Sequence, residues 1–322
     1  GGGVTADGAT RTLDASRIEA WLREERGEVL AELWAWADRV RAGHVGDAVH
    51  LRGLIEISNH CARACHYCGL RSGRRHIQRY RMTDAEILAA VEQAAAFEYG
   101  TVVLQAGEDP ELTPERIENL VRTIKDKTSL AVTLSLGEQD PGTYRRWREA
   151  GADRYLLRIE TTDDDVLSEI HPGEPHGSRK QNLIHLRKLG YEVGSGIMIG
   201  FPGQNHRMLV NDLLWFQSMD LDMIGLGPYI THPDTPMAKR RKVADQVPGS
   251  ELMTDKVLAL TRILCPDANI PATTALATIN IGRGREHALV RGANVVMPNL
   301  TPVKYRELYE IYPGKACIFE TD

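Results

Sequence analysis

Leu51-Arg-Gly-Leu-Ile-Glu-Ile57, followed closely by Cys61-Ala-Arg-Ala-Cys65-His-Tyr-Cys68, is the stretch on which this 322-residue chain turns. The first run is apolar and reads as a buried strand. The second is a C-x3-C-x2-C loop. Three thiolates in one tight loop can grip three corners of a 4Fe–4S cube and leave one iron without a protein ligand, whereas clusters used only for electron transfer usually take four cysteines. An open iron is a mark of chemistry, because something else must bind there. A structural zinc site would need a fourth closed ligand. The nearest extra donors, His60 and His66, each adjoin a cysteine awkwardly. The cluster reading is preferred to zinc, and both to a chance run of thiols.

Outward from that loop the chain alternates. Short apolar runs fall at Leu51–Ile57, Thr101–Leu104, Leu130–Leu136, Tyr155–Ile159, Val193–Ile199, Met223–Leu226, Asn269–Ala272 and Asn294–Met297. Helical stretches lie between them. Thr83-Asp-Ala-Glu86 reads as a capping box, as does Ser178-Arg-Lys-Gln181, with Gly190 ending the second helix. Thr113-Pro114 reads as an N-cap followed by proline at the first helical position. Alternation of this kind argues for parallel strands with right-handed crossovers. Eight units closing on themselves give an α/β fold, a (β/α)8 TIM-type barrel, whose functional groups gather at the C-terminal ends of the strands. The cysteine loop stands at such an end. A helical extension precedes the barrel over about 14–42, where Leu30, Leu33, Trp34, Ala37 and Val40 make one apolar stripe. We read 1–322 as a single domain, with the barrel over about 50–300 and a C-terminal extension over 301–322.

The bounds are those of an ordinary soluble protein. Hydrophobic residues make up 42% and charged ones 26%, as in globular domains. A formal net charge of −5 gives no electrostatic case for nucleic acid or an anionic membrane. The arginine-rich stretch Arg71 to Arg81 lacks clustered aromatics to stack bases and reads as a solvated loop. No apolar run approaches a spanning helix, and Gly1 to Asp7 lack the regions of a signal peptide. Five cysteines, three in one loop, are no disulfide framework. A cytoplasmic location is expected. Cys265 reads as a buried small hydrophobe.

The cysteine spacing, with Tyr67 before the third cysteine, resembles the signature of the radical S-adenosylmethionine (SAM) superfamily. The resemblance implies that Cys61, Cys65 and Cys68 hold one 4Fe–4S cluster whose open iron chelates SAM. An electron from the cluster then cleaves SAM to methionine and a 5′-deoxyadenosyl radical. It implies that Tyr67 lies by the adenine and that Gly107 and Glu108, in the Ala-Gly-Glu turn after the second strand, bind the amino group. Glu160 would take the ribose hydroxyls, although a mutual ion pair with Arg158 reads nearly as well. Arg179 would take the SAM carboxylate, set against a solvated surface arginine. Gly194-Ser-Gly-Ile-Met-Ile-Gly200 resembles the superfamily's adenine-side strand, with close packing as the alternative. Arg52, Gln105, Thr133, Ser135, Thr273 and Thr274 are polar residues in otherwise apolar strands, and barrel interiors are normally filled by branched apolar side chains. Together they suggest a cavity for an anionic, hydrogen-bonding substrate.

Longer strings are similar to the HydE family of FeFe-hydrogenase maturases. They include Val103-Leu-Gln-Ala-Gly-Glu-Asp-Pro110, Val132-Thr-Leu-Ser-Leu-Gly-Glu138, Asn269-Ile-Pro-Ala-Thr-Thr274 and Tyr312-Pro-Gly-Lys315. This resemblance implies a role in assembling the hydrogenase H-cluster, on a cysteine-bound iron complex supplied by HydG, with the product passing toward HydF. A reductant such as ferredoxin or flavodoxin would supply the electron. Arg52, Gln105, Thr133, Arg158, Thr273, Thr274 and Tyr312 match the family's cavity. Two departures stand out. Ile159 replaces an expected histidine, so the cavity is expected to differ there. Some relatives carry a second cluster on cysteines beginning at the counterpart of Cys317; only one is expected from these residues. The rival readings are a radical SAM mutase or C–S bond-cleaving enzyme on an amino-acid-like substrate, and a non-catalytic cluster carrier.

Overall fold

The computed structural model describes residues 12–315. Two helices lead, α1 (Ala15–Arg23) and α2 (Gly27–Val45). Strands and helices then alternate through β1 (His50–Ser58), α3 (Asp84–Ala96), β2 (Thr101–Ala106), α4 (Pro114–Lys127), β3 (Ala131–Ser135) and α5 (Pro141–Ala150). Next come β4 (Arg154–Leu156), α6 (Asp164–Ile170), α7 (Ser178–Lys188), β5 (Glu192–Ile199), α8 (His206–Met219) and β6 (Met223–Pro228). The last elements are α9 (Glu251–Leu264), α10 (Thr274–Ile279), α11 (Gly284–Leu289), β7 (Val295–Val296) and α12 (Val303–Arg306).

The strands form one parallel sheet in the order β6-β5-β4-β3-β2-β1-β7. The run expected as a seventh strand, Asn269–Ala272, is not a regular strand. It forms bridge pairs on both sides, Asn269 with Met223 and Pro271 with Val295. Ile224 N–H donates to Asn269 O at 3.0 Å, and Ala272 N–H to Val295 O at 2.9 Å. These bonds join β6 to β7 and complete the circuit of the barrel. Pro271 accounts for the irregularity, since it has no N–H to give a ladder. β4 is also shorter than expected. Beyond Leu156 it keeps partners on the β5 side, through Leu157 N–H to Gly194 O and Glu160 N–H to Gly196 O.

Local sequence explains most of the helix ends. Thr83 and Glu86 form the expected capping box at α3, worth about 1 kcal/mol for the Thr83 cap alone. Thr113 caps α4, with Pro114 at its first position. Gly190 has φ +89°, and the Gly190 and Tyr191 N–H groups bond Arg187 O and Leu186 O, a Schellman closure of α7. The other end of α7 differs from expectation. Ser178 is its first residue, Gly177 is the cap, and no side chain caps the helix. The helical extension consists of two helices, separated at Glu24–Arg26. It covers α9, whose residues Met253 to Arg262 are all buried. Lys256 reaches out of that layer to donate to Leu22 O at 2.6 Å and Glu24 O at 3.0 Å, capping α1.

One core carboxyl has a consequence for stability. Asp212 of α8 accepts from Thr162 N–H at 2.9 Å and Thr162 Oγ at 2.6 Å, while its Oδ2 is buried without a partner. Burial pushes this carboxyl up to about 7. The folded protein therefore keeps a proton that the unfolded chain has lost, so this residue's contribution falls as pH rises from about 4 to about 7. Asp212→Asn is expected to remove that slope. Urea midpoints measured across that range should move in the variant's favour, relative to the parent, as pH rises; a constant difference would contradict this.

Candidate active site

The C-terminal ends of the strands enclose a cavity of about 340 Å³. Cys61, Cys65 and Cys68 line one side of it, on the loop that leaves β1. The loop is shaped by arginines. Arg79 donates to Asn59 O and Leu70 O, one on each side of the triad. Arg71 donates to Cys65 O at 3.1 Å and Ala64 O at 3.2 Å, and Arg74 to Gly69 O at 2.9 Å. The stretch Arg71 to Arg81 is thus only partly solvated: Arg75 and His76 are exposed, whereas the guanidiniums of Arg71, Arg74 and Arg79 occupy carbonyls that a non-helical loop leaves unpaired. Arg81 closes the far end with a bidentate pair to buried Asp109, at 2.7 and 2.9 Å, which Ser58 Oγ joins at 2.6 Å.

The donor set fits a three-cysteine cluster. Backbone N–H groups of Arg63 and Leu70 each lie 3.4 Å from a cysteine sulfur, Cys61 and Cys68 respectively, the kind of outer hydrogen bond that tunes cluster sulfurs. Neither His60 nor His66 lines the cavity. Among the described residues, the triad is not drawn together closely enough to share a single ion, as zinc would require. Burial pushes the Cys68 thiol up to about 12 and raises Cys61 and Cys65 as well; metal binding would deprotonate them. Gly107 presses on the loop: a Cβ there would stand 2.6 Å from Cys61 Cβ and 2.8 Å from its Sγ. We expect Gly107→Ala to fold normally by circular dichroism but retain far less cluster iron after reconstitution. Iron content equal to that of the parent would contradict this.

The expected SAM residues line the cavity with the triad. Tyr67 lines the cavity, packs against the small apolar cluster of Ile170, Met198, Phe201 and Met237, and has its hydroxyl 2.8 Å from His171 Nε2. Glu108 accepts from Arg63 and from Glu138 N–H. Glu160, at φ +63°, pairs with Arg158 at 2.8 Å. Arg158 also donates to Gly225 O and Ile197 O, and side chains at Gly196 or Gly225 would collide with its guanidinium. Arg179 is buried; Glu174 takes its Nε and Nη2 at 2.9 and 2.8 Å, and Arg158 O takes Nη1 at 2.7 Å. A guanidinium has five N–H groups, so one remains on each terminal nitrogen as a fork. Burial works against the Glu174 carboxylate, but Arg179 outweighs it and holds it below the usual range. Beside it, burial pushes Glu138 up to about 7.

Gln105, Ser135, Thr273, Thr274 and Tyr312 line the cavity with Arg158. Arg52 and Thr133 do not. Arg52 pairs in register with the first residue of β2 and meets Met223 Sδ at 3.2 Å, and Thr133 Oγ is buried without a partner near the same, lower end of the barrel. Ile159 is fully buried and does not line the cavity, so this departure falls outside the cavity wall. Cys265 is a free, buried thiol at the end of α9. Cys317 lies outside the described residues.

The family model described as Radical SAM superfamily matches residues 55–216. The chain belongs to the radical SAM superfamily. It is 50% identical over 290 residues to the [FeFe] hydrogenase maturase subunit HydE of Thermotoga maritima, covering 90% of this chain and 81% of that protein. It is also 28% identical over 286 residues to 3-methylornithine synthase of Methanosarcina acetivorans, covering 88% of this chain and 79% of that protein. The crystal structure of methylornithine synthase (PylB) superposes with a TM-score of 0.81 at 27% identity, covering 89% and 82% of the two chains. This radical SAM enzyme therefore carries the superfamily's barrel, and the superfamily implies a 4Fe–4S cluster and SAM. None of the described helices is long and apolar enough to cross a membrane.

Sequence reasoning missed one group on the cavity wall. Glu56 of β1 is buried, accepts from Asn299 Nδ2 at 2.8 Å, and pairs with Lys315 Nζ at 2.7 Å. Lys315 also lies 4.7 Å from the centre of the Tyr309 ring. The signal was present: a glutamate inside an apolar strand must have a partner. Nothing in the sequence says which one.

Proposed function

We propose that the chain is a HydE-type maturase that reductively cleaves SAM and acts on a small anionic, cysteine-derived iron complex during assembly of the FeFe-hydrogenase H-cluster. The observation that carries this is identity at half of the aligned positions with a protein named for that role, across 90% of the chain. Cluster and SAM, when bound, supply one-electron cleavage of the sulfonium and the radical that results. The protein's own part is position. Cys61, Cys65 and Cys68 hold the cluster; Tyr67 packs by the adenine; Gly107 and Glu108 receive the amino group. Glu160 receives the ribose, and the free fork of Arg179, fixed by Glu174, faces the carboxylate. Gln105, Thr273, Thr274, Arg158 and Tyr312 offer hydrogen bonds and positive charge to an anion, with Arg52 and Thr133 beneath them. The barrel wall excludes water from a reactive species. A ferredoxin or flavodoxin supplies the electron, and HydG and HydF stand before and after it.

Similarity to 3-methylornithine synthase over most of the chain favours a second reading, a radical SAM mutase or C–S bond-cleaving enzyme on an amino-acid-like substrate. Reduced, reconstituted enzyme given SAM and either the iron–cysteine complex or a free basic amino acid separates the two. The maturase reading expects 5′-deoxyadenosine formation to rise with the iron complex alone. A rise with the amino acid alone would overturn it.

A further inference from the structure

Outside the barrel, away from the cavity, α9 and α11 bring together three donors that the reaction does not use. Glu251 and Asp255 stand one turn apart on α9 and share a face. His287 comes from α11. One ligand atom from each lies within 4.8 Å of the other two. His287 Nδ1 is 2.6 Å from Glu251 Oε1, and Asn280 Nδ2 steadies the other Glu251 oxygen at 2.8 Å. Asp255 Oδ2 accepts from Arg291, whose guanidinium lies 4.4 Å over the Trp34 ring. Asp255 Oδ1 has no hydrogen-bond partner, although the Asp255 side chain is 0% exposed. A buried oxygen left this way costs about 1–3 kcal/mol, more if charged, unless something meets it.

We propose that Glu251, Asp255 and His287 form a binding site for a divalent transition-metal ion that ties α9 to α11. The charges suit a cation: two carboxylates against one guanidinium leave a single negative charge beside the His287 imidazole. Imidazole with carboxylate favours zinc, iron or manganese over magnesium or calcium. Three protein donors leave room for water to complete the shell. The tie has a physical use. α10 and α11 have six residues each, too short to be stable by themselves, and a metal would fix them to the buried α9.

The test uses cluster-loaded protein, in which Cys61, Cys65 and Cys68 are not free to take zinc. After equilibrium dialysis against buffered Zn(II), elemental analysis should find one zinc per chain beyond the cluster iron, with a higher Tm than metal-free protein. His287→Ala removes a half-exposed ligand without opening the core. It is expected to weaken zinc binding roughly tenfold or more and abolish the Tm rise. Asp255→Asn should do the same where it folds. No zinc held by the parent protein, or equal retention and equal Tm rise in His287→Ala, would overturn the proposal.

Discussion

Cys65→Ala is expected to leave a folded barrel that makes no 5′-deoxyadenosine from SAM under reducing conditions. The three cysteines line one wall of the cavity, and among the described residues no fourth cysteine joins them there. Losing one leaves two thiolates, too few to hold a cube and present one open iron. The loop itself should persist. Its carbonyls are held by Arg71, Arg74 and Arg79 rather than by the thiols, so far-UV circular dichroism and Tm of the metal-free variant should match metal-free parent protein. Iron content and 5′-deoxyadenosine, followed together after reconstitution, check the prediction. Undiminished product from the variant would remove the triad from the chemistry.

The largest expected effect on stability is at Lys315. Its ammonium is 2.7 Å from Glu56, and the two side chains are 7% and 2% exposed. Removing one partner of such a pair strands the other charge in the interior, at about 3–5 kcal/mol. Lys315→Met should therefore destabilise the protein by that order at neutral pH, read from denaturant midpoints. Burial already pushes the Glu56 carboxyl up, and Lys315 opposes that push. Without the lysine the carboxyl's native pKa rises further. The native state of the variant then binds a proton that the unfolded chain releases, so its deficit shrinks as pH falls toward the unfolded carboxylate range. Glu56→Gln with Lys315→Met should recover much of the loss, since no unpaired charge remains. A double variant no better than Lys315→Met would show that the pair is not the source.

Much of this was legible in the sequence because the signals were local. The spacing of Cys61, Cys65 and Cys68 and the apolar run before them put the loop at the end of β1. Thr83 with Glu86, and Thr113 with Pro114, wrote their helix starts into four residues or fewer. Where a pattern needed a distant partner, sequence reasoning stopped. Asn269–Ala272 has the apolar character of a strand, but Pro271 cannot donate and its neighbours reach it only by isolated bridges. Ser178 to Gln181 has the letters of a capping box, yet Gly177 in the left-handed region begins the helix one residue earlier. Arg71 to Arg81 reads as polar surface because carbonyl acceptors leave no mark in a sequence. Arg52 and Thr133 lie on β1 and β3 as a polar lining requires, but Arg52 is near the start of β1 and Thr133 at the middle of β3, and neither lines the cavity.

The central claim is that the cysteine triad holds a cluster open to SAM inside this cavity. Electron paramagnetic resonance of the reduced, reconstituted protein with and without SAM tests it most directly. The spectrum is expected to change on adding SAM, because SAM would occupy the iron that no protein side chain holds. A reduced-cluster spectrum identical in the two samples would contradict it.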